Sequence, residues 1–454
     1  MGGEGLIMTN TKLLAAAAVI LAGTTVTAAA EEYTITVWAG GTNPTENYRL
    51  DNIELAADLL EREAAINGEE LTINIEKQSW SGWDDFRQAV TLAGEAGNGP
   101  NILVAGHDDI PTWSKSGLLR PIGDYIYTDT YPLSQIYPNL WDVVTYNGQI
   151  WGVPQDAEAR VMYWSIPGLK AIGWSDAEIA DLPAKVKSGE FTLYDMLDAV
   201  KKMQDEGAVA AGDGFAPRPS NGGDYWQFYQ SFGGEIADEE SGKLVLDKQA
   251  MQDFYTFFAD AVDDGVVSST YLGLPWDTWH GSVVEGKYGV WHGGSWHYAQ
   301  WTRQNGMTDF FDKVQYTLIP AGNENGRANS ITHPLAYLLT AQGSEDEAEI
   351  AAELIARASS PELNAFHAVK SGHLAIGEDE VNVPLYANDR WLSEASAFLP
   401  DANATPNNVN VGIFQNDMFA GLESVWTGTA TPEQAVNDLE AKLHADVGDD
   451  LIVR

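Results

Sequence analysis

The chain has 454 residues, 44% of them hydrophobic, with a formal net charge of −41 and no cysteine. That length exceeds one compact core and favours two or more domains. Without cysteine there are no disulfides, thiolate metal sites or cysteine nucleophiles. So acidic a surface repels nucleic acid and anionic lipid and stays soluble in salt, which sets nucleic acid aside as a partner.

Lys12 precedes the apolar run LLAAAAVILAG, and TTVTAAA follows with small residues at Ala28 and Ala30. This pattern predicts a secretory signal over residues 1–30, with Met8 as the better start and cleavage near Ala30. No later stretch offers the roughly eighteen continuous apolar residues of a membrane span. The mature chain is therefore expected in the periplasm, soluble and, lacking a cysteine, not lipid-anchored. Sixteen Trp and eighteen Tyr are more than salt adaptation explains, so these rings form core or a recognition surface.

YTITVWAGG (33–41) alternates like a strand and ends in glycines, and NIELAADLLEREAAIN (52–67) has amphipathic helical spacing. LTINIEKQSW (71–80) is the next strand. A helix from WDDFRQAVTLAGEAG stops at Asn98, Gly99 and Pro100, and NILVAG (101–106) is an apolar strand suited to a buried parallel sheet. This β-α-β-α-β order predicts an α/β fold with a doubly wound sheet, whose ligands sit beyond the carboxyl ends of the strands. Those ends carry Gly40, Gly41, Thr42 and Asn43, then Ser79 and Trp80, then His107 and Asp108. Further along, residues 191–207, 251–265 and 344–360 read as helices, and 314–322 and 331–340 as strands, giving two α/β lobes.

Several motifs fail on chemistry or context. GSVVEGKY (281–288) has P-loop spacing, but Tyr288 stands where Ser or Thr would ligate magnesium, and the stretch leads from helix into strand. GGSWH (293–297) begins like a nucleophile elbow and ends in His. His292 and His297 are five apart, off one helix face, and no H-E-x-x-H or calcium-loop spacing occurs, so no metal site is expected in the chain and no cofactor is implied. With 66 Asp and Glu, paired carboxylates at glycosidase spacing carry little weight for catalysis.

In chain order, TITVWAGG, GNGPNILVAGHDDIPTWSKSGLLRPI (97–122), YNGQIWGVPQDAEARVMYW (146–164), YWQFYQSFGGEI (225–236) and GKYGVWHGGSW (286–296), together with the signal-like start, resemble the carbohydrate-specific solute-binding proteins of ABC importers, the family of maltose-binding protein. The resemblance implies two lobes closing on one sugar, delivery to the membrane permease subunits of an ABC transporter, no enzymatic activity and a monomer. It also implies crossings near Trp151, at YTLIPAG and at SSPELNAF, which place 31–150 and 316–358 in the N-terminal lobe and 151–315 and 359–454 in the C-terminal lobe.

The polar residues after Pro154 then fall at the edge of the second lobe, where Asp156, Glu158 and Arg160 would meet sugar hydroxyls. That role also suits their chemistry. Hydroxyls donate and accept, so carboxylates and guanidinium bind them in charge-assisted, often bidentate bonds, while the C–H faces of a sugar lie on aromatic rings. By resemblance, Asp108 is the strand-end carboxylate, Trp296 the stacking ring of the G-x-W motif, Asn221 and Trp226 lie in a second-lobe loop, and Phe414 is a late aromatic. Thr42 and Asn43 stand where the maltose-binding pattern has charges, and Ala105 replaces an aromatic, so Trp80 is the candidate for the missing face. Arg160 has a structural alternative as the partner of Asp156, and His107 and His333 read as loop or core histidines. Two other classes stay open: a secreted glycosidase or lyase, and a binding protein for a charged solute such as a polyamine, sulfonated sugar or uronate, with Arg160, Arg218 and the histidines leaving the anions among them open.

Overall fold

The computed structural model describes residues 31–42 and 48–454. The expected signal, residues 1–30, and the candidate Asn43 lie outside the described residues.

The first sheet starts with β1 (Glu31–Ala39), β2 (Leu71–Ser79) and β3 (Ile102–Gly106). β1 pairs in parallel with both β2 and β3, and the connections are α1 (Tyr48–Asn67) and α2 (Trp83–Glu95). A hairpin, β4 (Thr145–Tyr146) and β5 (Gln149–Ile150), turns at Asn147 and Gly148 with φ of 51° and 73°. Positive φ at both central residues is what Asn-Gly supplies in a two-residue turn. β6 (Gly152–Pro154) follows at the sheet edge, where the missing N–H of Pro154 costs no ladder bond.

The second sheet uses β7 (Arg160–Ser165), β8 (Phe215–Ala216), β10 (Val290–Gly294) and β11 (Val314–Thr317), in the order β11-β7-β10-β8. The short strand β9 (Leu244–Leu246) pairs instead with β15 (Leu451–Val453). Large rings fill this lobe: Trp164, Trp226, Trp279, Trp301, Trp391 and Trp426 are all fully buried. Most of the tryptophan surplus is therefore core.

The chain returns through β12 (Ser330–Thr332) to β13 (Leu335–Leu339), which runs antiparallel between β3 and β6. Pro334 separates these two strands, as a residue without an N–H must in a ladder. The helix Glu345–Ala358 then packs on α1. Its capping box pairs Ser344 with Glu347, and acidic residues in its first turn oppose Arg357 in its last, matching the helix dipole. β14 (Ala402–Ala404) lies parallel to β12.

Sheet membership differs from the expected lobe boundaries. β6 lies in the first sheet, so the first crossing occupies residues 155–159. β11 belongs to the second sheet, so YTLIPAG begins inside that lobe and the return comes after Thr317. SSPELNAF starts a helix, Pro361–Ser371, that packs on α1, where Asn52 Nδ2 donates to the Leu363 carbonyl at 2.9 Å. The next crossing follows that helix, and Leu374 exchanges backbone hydrogen bonds with Ala157.

Candidate functional site between the two sheets

The candidate side chains sit at the carboxyl ends of β1, β2 and β3 and around the start of β7 and the end of β10. On the first-lobe side, the Thr42 N–H donates to the Trp80 carbonyl at 3.0 Å, which holds two strand ends together. Trp80 is partly exposed and packs on Trp38, with ring centroids 4.9 Å apart, and on Phe86 at 5.6 Å. Trp83 stands beside them, with the guanidiniums of Arg49 and Arg87 over its ring at 5.9 and 5.7 Å.

Beyond β3 the turn His107–Asp109 carries three titratable groups. His107 is buried, with ring nitrogens near the carbonyls of Pro334 (3.2 Å) and Thr405 (2.9 Å). Burial, with His333 beside it, pushes His107 down to about 4, so it is a neutral structural histidine. Asp108 is about a quarter exposed and faces His333 Nε2 at 3.2 Å and Arg87 at 3.7 Å. Burial would raise its carboxyl, but His333 holds it well below the usual carboxylate range. Burial would lower His333, but Asp108 raises it above 6.5. His333 is thus the ionic partner of Asp108, a closer role than that of a core histidine. Asp109 receives the Arg87 Nε–H at 2.7 Å. Burial and its neighbour Asp108 push its carboxyl up to about 7.

On the second-lobe side Glu158 and Arg160 leave the first crossing together. Arg160 Nη1 lies 2.6 Å from Glu158 Oε1, Arg160 Nε lies 3.3 Å from Asp224 Oδ1, and the guanidinium sits over the Trp296 ring at 5.0 Å. Both carboxylates balance the arginine charge in close, buried ion pairs. Burial pushes the Glu158 carboxyl up to about 7, against the pull of Arg160. Burial would raise Asp224 too, but Arg218 and Arg160 hold it well below the usual range. Arg218 donates to Asp224 Oδ2 at 2.9 Å and lies over the Trp276 ring at 4.9 Å. Asn221, partly exposed, donates to Asn416 Oδ1 at 2.6 Å and receives Gln415 Nε2 at 3.4 Å.

Thr42, Trp80 and Asp108 follow strands of the first sheet, and Glu158, Arg160, Asn221 and Trp296 lie at the first crossing, at the start of β7, in the loop before the helix Tyr225–Ser231 and just after β10. Three candidates are packed elsewhere. Asp156 is fully buried and turns away, accepting the Leu335 N–H at 3.0 Å and facing His367 and His373. Its partner is not Arg160: the crossing is not a regular strand, so alternate residues do not share a face. Trp226 and Phe414 are fully buried and pack edge to face, 4.9 Å apart, which leaves neither ring a free surface. The sequence reading missed Asp224, Trp276 and Arg87, because the pairings of Asp224 with Arg160 and of Trp276 with Arg218 join residues far apart along the chain and Arg87 meets Asp109 from a different element.

Two α/β lobes joined by chain crossings, with charged and aromatic side chains between them, define the two-lobed fold of periplasmic binding proteins. The chain belongs to the bacterial extracellular solute-binding proteins, whose family pattern matches residues 61–389. The GacH receptor of Streptomyces glaucescens, solved unliganded and with acarbose, superposes with a TM-score of 0.75 at 15% identity, covering 92% of this chain and 99% of that one. Maltose-bound MalE3 of T. maritima gives 0.73 at 18% identity, with 91% and 99% covered. At such identities the likeness speaks for the fold. The maltotriose-binding protein of Pyrococcus abyssi (strain GE5 / Orsay) is 25% identical over 178 residues, 39% of this chain, and the match spans 34% of that protein's length. The family and these neighbours are binding proteins, and among the described residues no helix is long and apolar enough to cross a membrane.

Proposed function

We propose that the protein captures a neutral carbohydrate between its lobes outside the cytoplasm and hands it, as a monomer, to the permease subunits of an ABC transporter without chemically altering it. The observation that carries this reading is the buried cluster of Arg160, Glu158 and Asp224 beside the partly exposed Trp296. Charged donors and acceptors held in place this way form charge-assisted hydrogen bonds to polyol hydroxyls. The sugar's C–H face would lie on the indole. Maltotriose, maltose and acarbose, named for the relatives above, are ligands of this chemistry.

Both arginines already face carboxylates, which argues against an anionic ligand, since a second negative group would compete with Asp224 and Glu158. A sugar touching both lobes binds better when they are closed and shifts the open-closed equilibrium by that difference. Micromolar affinity, about 8 kcal/mol, suits capture followed by release.

A thermal-shift and calorimetric panel of the chain from Glu31 onward, with neutral mono-, di- and trisaccharides, polyols, uronates, sulfonated sugars and polyamines, tests the reading. At about a hundred times its dissociation constant the ligand should add roughly 2.7 kcal/mol of stability. A hit confined to charged solutes would overturn the carbohydrate reading, and turnover of a glycoside would overturn the binding-only one.

A further inference from the structure

Asp156, displaced from the ligand site, has two neighbours of a telling kind. His367 Nε2 lies 3.5 Å and His373 Nε2 3.8 Å from its Oδ2, and the donor atoms of the three residues all fall within 4.8 Å of one another. All three side chains are enclosed. Asp156 Oδ2 is held only by these long contacts, His367 Nε2 also lies 3.5 Å from Ser371 Oγ, and neither Nδ1 has a hydrogen-bond partner. A zinc ion with bonds of about 2.0–2.2 Å in tetrahedral geometry sets its ligand atoms roughly 3.4 Å apart, near the 3.5 and 3.8 Å between Asp156 Oδ2 and the two imidazoles.

We infer that Asp156, His367 and His373 form a binding site for a divalent transition-metal ion of the zinc class, seated at the hinge between the lobes. Two imidazoles and one carboxylate favour zinc-like ions over magnesium or calcium, which prefer all-oxygen shells. With no cysteine in the chain, imidazole is the softest strong donor available. The site is held in place from outside. The Leu335 N–H fixes Asp156 through Oδ1 at 3.0 Å, leaving Oδ2 to point at the histidines. Orientation of the ligating carboxylate by a hydrogen bond is the usual outer support of a metal site. His373 is stacked between Trp296, 5.7 Å away at 5°, and His367, 6.0 Å away at 24°. Gly372 ends the preceding helix at φ 81°, and a Cβ there would press on Ala299 and the Trp296 backbone, so the turn that presents His373 needs glycine.

The ion would tie the first crossing to the one after the helix Pro361–Ser371, which already meet at Ala157 and Leu374. It would also back the Trp296 ring through His373. The inference does not depend on what the cleft binds.

The test is a Zn2+ titration of the chelator-stripped full chain against a chromophoric competitor, repeated with Co2+ for its d–d absorption. One site per chain is expected, undisplaced by excess Mg2+ or Ca2+, with a Co2+ spectrum of low coordination number and imidazole ligation. His367→Gln and Asp156→Asn should each weaken it by at least about a hundredfold. Several weak, salt-sensitive sites only, as an acidic surface gives, would overturn the inference, and so would a folded His367→Gln protein that titrates like the wild type. If both variants fail to fold, the wild-type stoichiometry and Co2+ spectrum decide alone: a weak six-coordinate spectrum overturns it.

Discussion

Replacing Asp224 by Asn puts the ion network of the second lobe to the test. The Asp224 side chain is 4% exposed and faces Arg160 Nε at 3.3 Å and Arg218 Nη1 at 2.9 Å. Without it, Glu158 is the one carboxylate left against Arg160 among the described ion pairs. Breaking a buried pair by removing one partner costs about 3–5 kcal/mol. Asn preserves the volume and can still accept from Arg218, which points to the lower end, about 3 kcal/mol. At roughly 2–4 °C per kcal/mol for a lobe of this size, thermal unfolding followed by tryptophan fluorescence should show a midpoint about 6–12 °C lower at pH 7. The pH dependence carries the sign of the mechanism. Arg218 and Arg160 hold the folded-state value below the ordinary 3.8, so this stabilisation is present above about pH 4 and disappears as pH falls further. The gap between wild type and variant should therefore narrow in acid. A midpoint within about 2 °C of wild type at pH 7, or a gap that persists undiminished at low pH, would refute the view that these charges hold one another.

Three further expectations use other parts of the molecule. Trp296→Ala should lower sugar affinity at least tenfold, about 1.4 kcal/mol, while the circular dichroism spectrum stays native; unchanged calorimetric affinity would remove the ring from the site. His333 should titrate above 6.5 in an imidazole NMR titration, and Asp108→Asn should bring it down, since Asp108 opposes the burial that lowers it. Because its folded value is raised, the stabilisation it contributes is complete below pH 6.5 and is lost as pH climbs through that value. Glu380 is fully buried, accepts the Ile376 N–H at 2.9 Å and is pushed up to about 8 by burial. Its folded value exceeds its unfolded one, so the wild type loses stability as pH rises from about 4.5 to about 8, at up to 1.4 kcal/mol per unit. Glu380→Gln should thus melt higher than wild type at pH 9 by more than at pH 5, and parallel melting curves would count against a buried neutral acid.

Local pattern carried a good deal of this molecule. Alternation in YTITVWAGG, helical spacing in NIELAADLLEREAAIN and the apolar NILVAG make a parallel strand-helix unit because each pattern can bury only one kind of face. The same order located the strand-end loops with Thr42, Trp80 and Asp108, and the family resemblance led to Glu158, Arg160 and Trp296. Asp156, Glu158 and Arg160 look equivalent in sequence because they alternate, yet the first meets His367 and His373 while the other two pair with each other, since the chain between β6 and β7 is a crossing and not a strand. Trp226 looks like a stacking ring, but its helix, Tyr225–Ser231, is buried almost throughout, and the ring meets Phe414 from a helix late in the chain. Composition, element types and strand ends are local properties, so the sequence alone determined them. Tertiary structure decided the pairing of Asp224 with Arg160, of His333 with Asp108 and of Asp156 with His367 and His373, because a charge finds its partner in space across tens to hundreds of residues, and no local spacing records that distance.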